Sequence, residues 1–359
     1  MEFTNETLEK IKDKKEINKI YSKYLYQMSI DSKLLGVNRY KKRSDRLNDC
    51  VNLWVWDRYE KNKLLDLQKI NRCMDNKFCP NCRKFSLASF IHNFSPSFKN
   101  LIDEGYYPYL LTLSVPNVKS FELRDIIKKL NTSFRKFFQK LNQPIGSGFN
   151  GFSERLIKFD AALKVLEVTY NSKEDSYHPH FHIIMFSKEY DESIFKKYIP
   201  GAWSNKRNEL IYNSILDIHL MQIWKMCYDG ISITKKKFNN MSSKWFDLYM
   251  CDIREMDSGG IYEVLKYTFK DTDIINYNVF KTLFTALDGQ RIRQGHGLLF
   301  NIKVEDEADG EKQDINDFLI EKENPEQLLT REINSLITVY KEYRKISRFS
   351  SMSEFNNLE

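Results

Sequence analysis

The chain has 359 residues, of which 42% are hydrophobic and 29% charged, with a formal charge of +7. That is ample for one large core or two domains. No apolar run reaches the roughly eighteen residues of a membrane span, and the charged N-terminus MEFTNETLEKIKDKKEINK is not a secretory signal. A cytoplasmic protein with no membrane partner is the expectation. Its basic balance suits phosphate-bearing polyanions, and its 14% aromatic content suits stacking on unpaired bases.

In chain order, residues 1–48 read as a basic helical extension, with Ile17, Tyr21, Leu25 and Met28 at helical spacing and a basic stretch at 41–46. Residues 49–105 hold Cys50, Cys73, Cys79 and Cys82 between short aromatic segments, followed by a predicted helix over 85–104. Residues 109–115 (YLLTLSV) are β-branched and apolar, stop at Pro116-Asn117, and predict a buried strand. Phe121, Ile126, Ile127, Leu130, Phe134, Phe137, Phe138 and Leu141 recur at helical spacing and predict an amphipathic helix over 120–141. A Gly/Pro/Ser-rich loop follows at 142–153. Strands at 160–169 and 180–186, joined by a polar turn, predict a hairpin.

Residues 191–240 read as mainly helical, 246–253 as a strand, 261–271 and 277–287 as helices, and the tail from 305 as acidic and then helical over 328–347. Strand, helix, hairpin, helix, strand, helix is the order of an α+β domain with an antiparallel sheet.

His178-Pro179-His180-Phe181-His182 is the most informative string. Alternate residues of a strand face the same way, so His180 and His182 project together while Phe181 turns to the core. Two imidazoles on one face can share a divalent metal. Glu167 on the partner strand is the third ligand by alternation, since Leu166 and Val168 take the other face. His178 is an alternative third ligand or a phosphate contact. A carboxylate with two imidazoles suits Mn²⁺ or Mg²⁺ and leaves positions for a phosphate and water.

The second string is Glu263-Val264-Leu265-Lys266-Tyr267-Thr268-Phe269-Lys270. On a helix, Glu263 and Tyr267 neighbour one another at i, i+4, and Lys270 lies a turn beyond the tyrosine. Ammonium groups of Lys266 and Lys270 favour a phenolate and can clamp a phosphate. The implied chemistry is attack of Tyr267 on a DNA phosphorus, with Glu263 activating water in a later step.

Together the two strings resemble the HUH endonucleases, and more closely the rolling-circle replication initiators of small Gram-positive plasmids. Leu111-Thr112-Leu113-Ser114-Val115-Pro116-Asn117 resembles that family's first motif, His178 to His182 its metal motif, and Glu263 to Lys270 its catalytic motif. Residues 286–291 (ALDGQR) resemble a segment that follows the catalytic helix, whereas Gln294-Gly295-His296-Gly297 departs from that segment's usual glycine-rich end, and His296 receives no role.

The resemblance implies an HUH antiparallel sheet flanked by helices, with the histidine strands at its centre. It also implies a nicking and joining domain over 106–304, a 5′-phosphotyrosine at Tyr267, and hydrolysis promoted by Glu263. The substrate would be a plasmid double-strand origin, single-stranded at the nick.

Cys79-Pro80-Asn81-Cys82 forms a knuckle that, with Cys73 and Cys50, can close a tetrahedral Zn²⁺ site in a subdomain over 49–105. Similar cysteines precede the first motif in the plasmid family. Cys227 and Cys251 read as buried apolar residues. No phosphate loop of the GxxxxGK[ST] type occurs, so unwinding falls to a partner such as a host helicase. The tail at 305–359 is acidic and then helical, and its helix at 328–347 is the candidate surface for that helicase or for homo-oligomerisation. Two other readings stay open: a transposase or relaxase of the same chemistry, and a non-catalytic, zinc-stabilised DNA-binding protein.

Overall fold

The structure, a computed structural model, describes residues 5–33, 39–50, 53–59, 65–70, 72–142, 156–204, 208–242, 249–256, 264, 276–300 and 345–351. They fall into two compact units. One takes in residues 1–93, 274–281 and 304–359, the other 94–273 and 282–303.

The first unit begins with α1 (Asn5–Lys33) and α2 (Arg39–Asn48). Tyr21, Leu25, Met28 and Leu47 are buried there, and the Ser22 hydroxyl bonds the Ser44 carbonyl at 3.0 Å. Strands β1 (Leu53–Tyr59) and β2 (Leu65–Ile70) pair antiparallel. The helix α3 (Pro80–Asp103) starts on a proline, whose missing N–H costs nothing in a first turn. Residues 277–280 also belong to this unit: Tyr277 donates to the Asp31 carboxylate at 2.7 Å, and the Phe280 ring lies 5.0 Å from Tyr21 and 5.4 Å from Phe78.

The second unit is built on five antiparallel strands. These are β3 (Tyr107–Ser114), β4 (Ala161–Asn171), β5 (Ser176–Ser187), β8 (Cys251–Glu255) and β9 (Arg293–Gly297), in the order β8-β3-β5-β4-β9. The histidine strand β5 is therefore central. The sequence carries it past Pro179, a residue that central strands avoid because it cannot donate. Tyr177 N–H points to Val118 O, so the Pro179 nitrogen, two residues on, points the same way, to residues 115–117 beyond the end of β3.

One face of this sheet is covered by α4 (Leu123–Leu141) and α6 (Ile215–Tyr228). In α4 the buried Leu123, Ile127, Leu130, Phe134, Phe137 and Leu141 recur three or four apart. Phe134 meets Phe181 of β5 at 5.7 Å, and Phe137 meets Trp224 at 5.8 Å. Helix α6 opens on a capping box of Ser214 and Asp217. The buried Asp217 carboxylate also accepts from Ile253 N–H at 2.8 Å and pairs with Lys197 at 2.8 Å, tying the helix start to the edge strand β8.

Between β5 and α6 lie the short α5 (Glu192–Phe195) and a hairpin of β6 (Ile199–Ser204) and β7 (Glu209–Asn213), where the sequence pattern predicts helix. Helix α7 (Lys235–Ser242) follows α6. Helix α8 (Tyr277–Leu287) has the predicted bounds. The described end of the chain, Lys345–Ser351, is a strand, β10, paired antiparallel with β1, so the predicted helix does not run through Ser347. No helix among the described residues is long and apolar enough to cross a membrane.

Candidate functional site

Register decides which side chains meet. Glu167 stands opposite His180, which stands opposite Ser114; Val165, His182, Thr112 and Asp252 form the next row. Directly paired residues share a face, so both rows lie on the face opposite α4 and α6.

Glu167 Oε2 lies 3.2 Å from His180 Nε2 and 2.9 Å from His182 Nε2. The two imidazole rings are 4.9 Å apart and nearly perpendicular. Glu167 is buried, while the His182 side chain keeps 26% of its surface. The group is therefore walled on the sheet side and open on the other.

The far ring nitrogens are held as well. His180 Nδ1 lies 3.1 Å from the His178 carbonyl, and His182 Nδ1 lies 3.3 Å from Thr112 Oγ1. A ligating imidazole carries its proton on the nitrogen away from the metal, and an oxygen acceptor already stands at that nitrogen in both rings. Burial alone would oppose ionisation of Glu167. Hydrogen bonds from the two histidines outweigh it and hold the carboxyl at about 2. An ionised carboxylate and two converging Nε2 atoms are a donor set that fits a divalent cation, and the three ligand atoms lie within 4.8 Å of one another.

His178 does not join that group. Its ring packs 5.0 Å from His180, its Nε2 is buried without a hydrogen-bond partner among the described residues, and burial pulls its pKa down to about 4. Tyr267, Glu263, Lys266 and Lys270 lie outside the described residues; of that segment only Val264 is described, and it is buried. His296 sits on the helix-covered face with its ring 4.9 Å from Phe134, so it is a core residue on the other side of the sheet from the site.

The four cysteines of the first unit also converge. Cys50 Sγ is 3.5 Å from Cys79 Sγ and 3.6 Å from Cys82 Sγ, and Cys73 Sγ is 3.5 Å from Cys82 Sγ. Backbone N–H groups of Cys73, Asp75 and Cys82 point at sulfurs of the quartet. Hydrogen bonds from the other three sulfurs push the Cys82 thiol far below its ordinary range, whereas the Cys73 thiol is pushed above it. Four buried sulfurs that must share protons fit a cation that replaces them, and an all-sulfur set is the donor chemistry of a structural Zn²⁺ site.

Sequence reasoning missed three contributors. Asn18 of α1 donates to Cys79 Sγ at 3.3 Å, Thr112 backs His182, and Lys197 pairs with Asp252 at 2.6 Å in the His182 row. Only for Thr112 was there a signal, since it alternates with Ser114 in the strand.

The fold and its two ligand groups define a candidate two-site metalloprotein: a Glu-His-His face on an antiparallel sheet and a four-thiol module. Residues 64–346 match the model of a family described as Replication protein. The chain is 29% identical over 293 residues to the "Protein rep" of Bacillus amyloliquefaciens, covering 76% of each chain. It is 28% identical over 272 residues to the "Protein rep" of Staphylococcus aureus, covering 75% of this chain and 95% of that protein. No solved structure matches it. The chain belongs to the replication protein family, that of the plasmid Rep proteins.

Proposed function

We propose that the protein is a plasmid rolling-circle replication initiator, a site- and strand-specific DNA nickase and strand transferase. The convergence of Glu167, His180 and His182 on one open face of the central strands carries this reading, with family membership beside it. In it, residues 106–304 hold the nicking and joining chemistry, and 49–105 form a zinc-stabilised module.

Glu167, His180 and His182 would hold Mn²⁺ or Mg²⁺, which would supply polarisation of the non-bridging oxygens of a bound phosphodiester. Tyr267 Oη attacks the phosphorus, a P–O bond forms, the P–O3′ bond breaks, and the 3′-hydroxyl leaves with a proton. The product is a 5′-phosphotyrosine. Lys266 and Lys270 favour the phenolate and neutralise the phosphate. Glu263 later takes a proton from water, so that hydrolysis of the phosphotyrosine ends the cycle.

The experiment is a nicking assay on supercoiled plasmid bearing the cognate origin, with and without added Mn²⁺ or Mg²⁺, followed by mapping of the DNA–protein adduct. Metal-dependent nicking and an adduct on Tyr267, both lost in Tyr267→Phe, are expected. Nicking by Tyr267→Phe at the parent rate would overturn the mechanism.

A further inference from the structure

The β6–β7 hairpin turns its apolar side outward. In β6 and the residues before it, exposure alternates: Lys196, Tyr198 and Pro200 are exposed, whereas Lys197 and Ile199 are only partly so. In β7, Leu210 and Tyr212 are exposed, Ile211 is partly covered and Asn213 is buried. Tyr212 stands opposite Pro200, and Tyr198 lies two residues before it on the same face. Tyr198 keeps 49% of its surface, Tyr212 48% and Leu210 37%. A hairpin with one solvated face ordinarily puts polar residues there, so an outward aromatic face marks a binding surface.

The hairpin is built to hold this shape. Its register shifts between Pro200 and Trp203, a bulge that bends the strand. A Cβ on Gly201 would lie 2.4 Å from Asn213 Nδ2 and 2.9 Å from Ile211 O, so only glycine fits there.

Two observations say what covers the surface. Between residues 196 and 215, with Lys197 taken up by Asp217 and Asp252, the remaining charged residues are Lys196, Lys206 and Arg207 against Glu209, a balance that attracts a polyanion. The base of the hairpin is also tied to the candidate metal face. Lys197 pairs with Asp252 at 2.6 Å, Asp252 stands opposite Thr112, and Thr112 opposite His182. That anchor is two strand spacings from the histidine strand, roughly 10 Å.

We infer that the outward face of the β6–β7 hairpin, with Tyr198 and Tyr212 as stacking platforms, binds unpaired bases of single-stranded DNA next to the nicking site. Tyrosine rings stack on any base, and Lys196, exposed in the same alternation as Tyr198, meets the phosphates. The inference rests on the proposed nickase reading for the identity of its ligand.

The test is fluorescence anisotropy of the full-length protein with a labelled single-stranded oligonucleotide of about twenty nucleotides, without added Mn²⁺ or Mg²⁺. The variants Y198A/Y212A and Y198F/Y212F are compared with the parent. The alanine pair is expected to weaken binding by about ten-fold or more, with an unchanged melting temperature, while the phenylalanine pair binds like the parent. Oligonucleotides carrying 5-iodouracil, photocrosslinked to the parent, are expected to label Tyr198 or Tyr212, a readout that stands even if the alanine pair misfolds.

Parent-like affinity in a folded Y198A/Y212A, or crosslinks that avoid the hairpin, overturns the inference. So does loss of self-association with retained DNA affinity, which would make a second copy the occupant. The binding assay needs neither metal nor Tyr267. A parent that binds single strands through the hairpin but does not nick therefore overturns only the nickase reading.

Discussion

Each imidazole of the Glu-His-His group has an oxygen behind it, and the two oxygens differ in kind. His180 Nδ1 faces a backbone carbonyl, which no substitution removes, whereas His182 Nδ1 faces the hydroxyl of Thr112. Partners behind metal ligands are worth about 10- to 100-fold in metal affinity. Thr112→Val keeps the β-branched shape and removes the hydroxyl. Isothermal titration with Mn²⁺ is expected to show about ten-fold weaker binding, restored in Thr112→Ser.

Lys164, on the helix-covered face, is fully buried with no carboxylate beside it among the described residues. Its Nζ donates to Asn131 at 2.5 Å and lies 4.6 Å from the centre of the Phe181 ring. Burial, with Arg135 adding to it, pulls its pKa down to about 7. An unfolded chain keeps that proton to a much higher pH. Below pH 7 both states are protonated and the buried charge costs its full amount; above pH 7 the folded state releases the proton and the cost shrinks. Lys164→Met is therefore expected to be more stable than the parent at pH 6, by about 1 kcal/mol or more. That gap should narrow as denaturant melts are repeated toward pH 10; a gap that widens with pH would refute the assignment.

At the scale of elements, α1, α2 and the cysteine knuckle form one cluster. Asn18 reaches Cys79, Arg43 pairs with Asp75 at 2.8 Å, and Arg46 donates to the Cys73 carbonyl. A structural metal supplies folding free energy to the segments that carry its ligands. The purified protein is expected to carry about one equivalent of zinc. Stripping it, or substituting Cys79→Ala, is expected to raise amide hydrogen exchange in α1 and α2 as well as in the knuckle. Unchanged exchange in those helices would show that the metal supports the knuckle alone.

Elements with a strong local period were the legible ones. The spacing of Phe134, Phe137 and Leu141 predicted α4, and alternation predicted the β4–β5 hairpin with His180 and His182 on one face. The β6–β7 hairpin was lost in a predicted helix, although Pro200-Gly201 breaks any helix and Asn208, with φ 54, marks the turn. Strand β9 was missed because glycines at 295 and 297 weaken its pattern. They are there because a Cβ would strike Leu299 O in one case and Asp160 O in the other.

For the molecule as a whole, the +7 charge predicts DNA binding that weakens steeply with salt. The logarithm of the affinity for a single-stranded oligonucleotide should fall linearly with the logarithm of salt concentration, with a slope of about −0.7 per phosphate neutralised. Y198A/Y212A should lower the affinity while leaving that slope unchanged, because stacking releases no counterions. A slope near zero in the parent would show that phosphates contribute little to binding.

Local periodicity and motif spacing alone determined the α+β class, the pair of histidines on one strand face and the cysteine knuckle, because each depends on residues within a turn or a strand of one another. Tertiary structure alone decided the rest. Pairing β5 with β3 selected Thr112 as the neighbour of His182, packing α1 on the knuckle brought Asn18 to Cys79, and pairing β6 with β7 set Tyr212 opposite Pro200. Those choices depend on strand register and on contacts between residues tens of positions apart, which the burial of the whole core selects and no local pattern encodes.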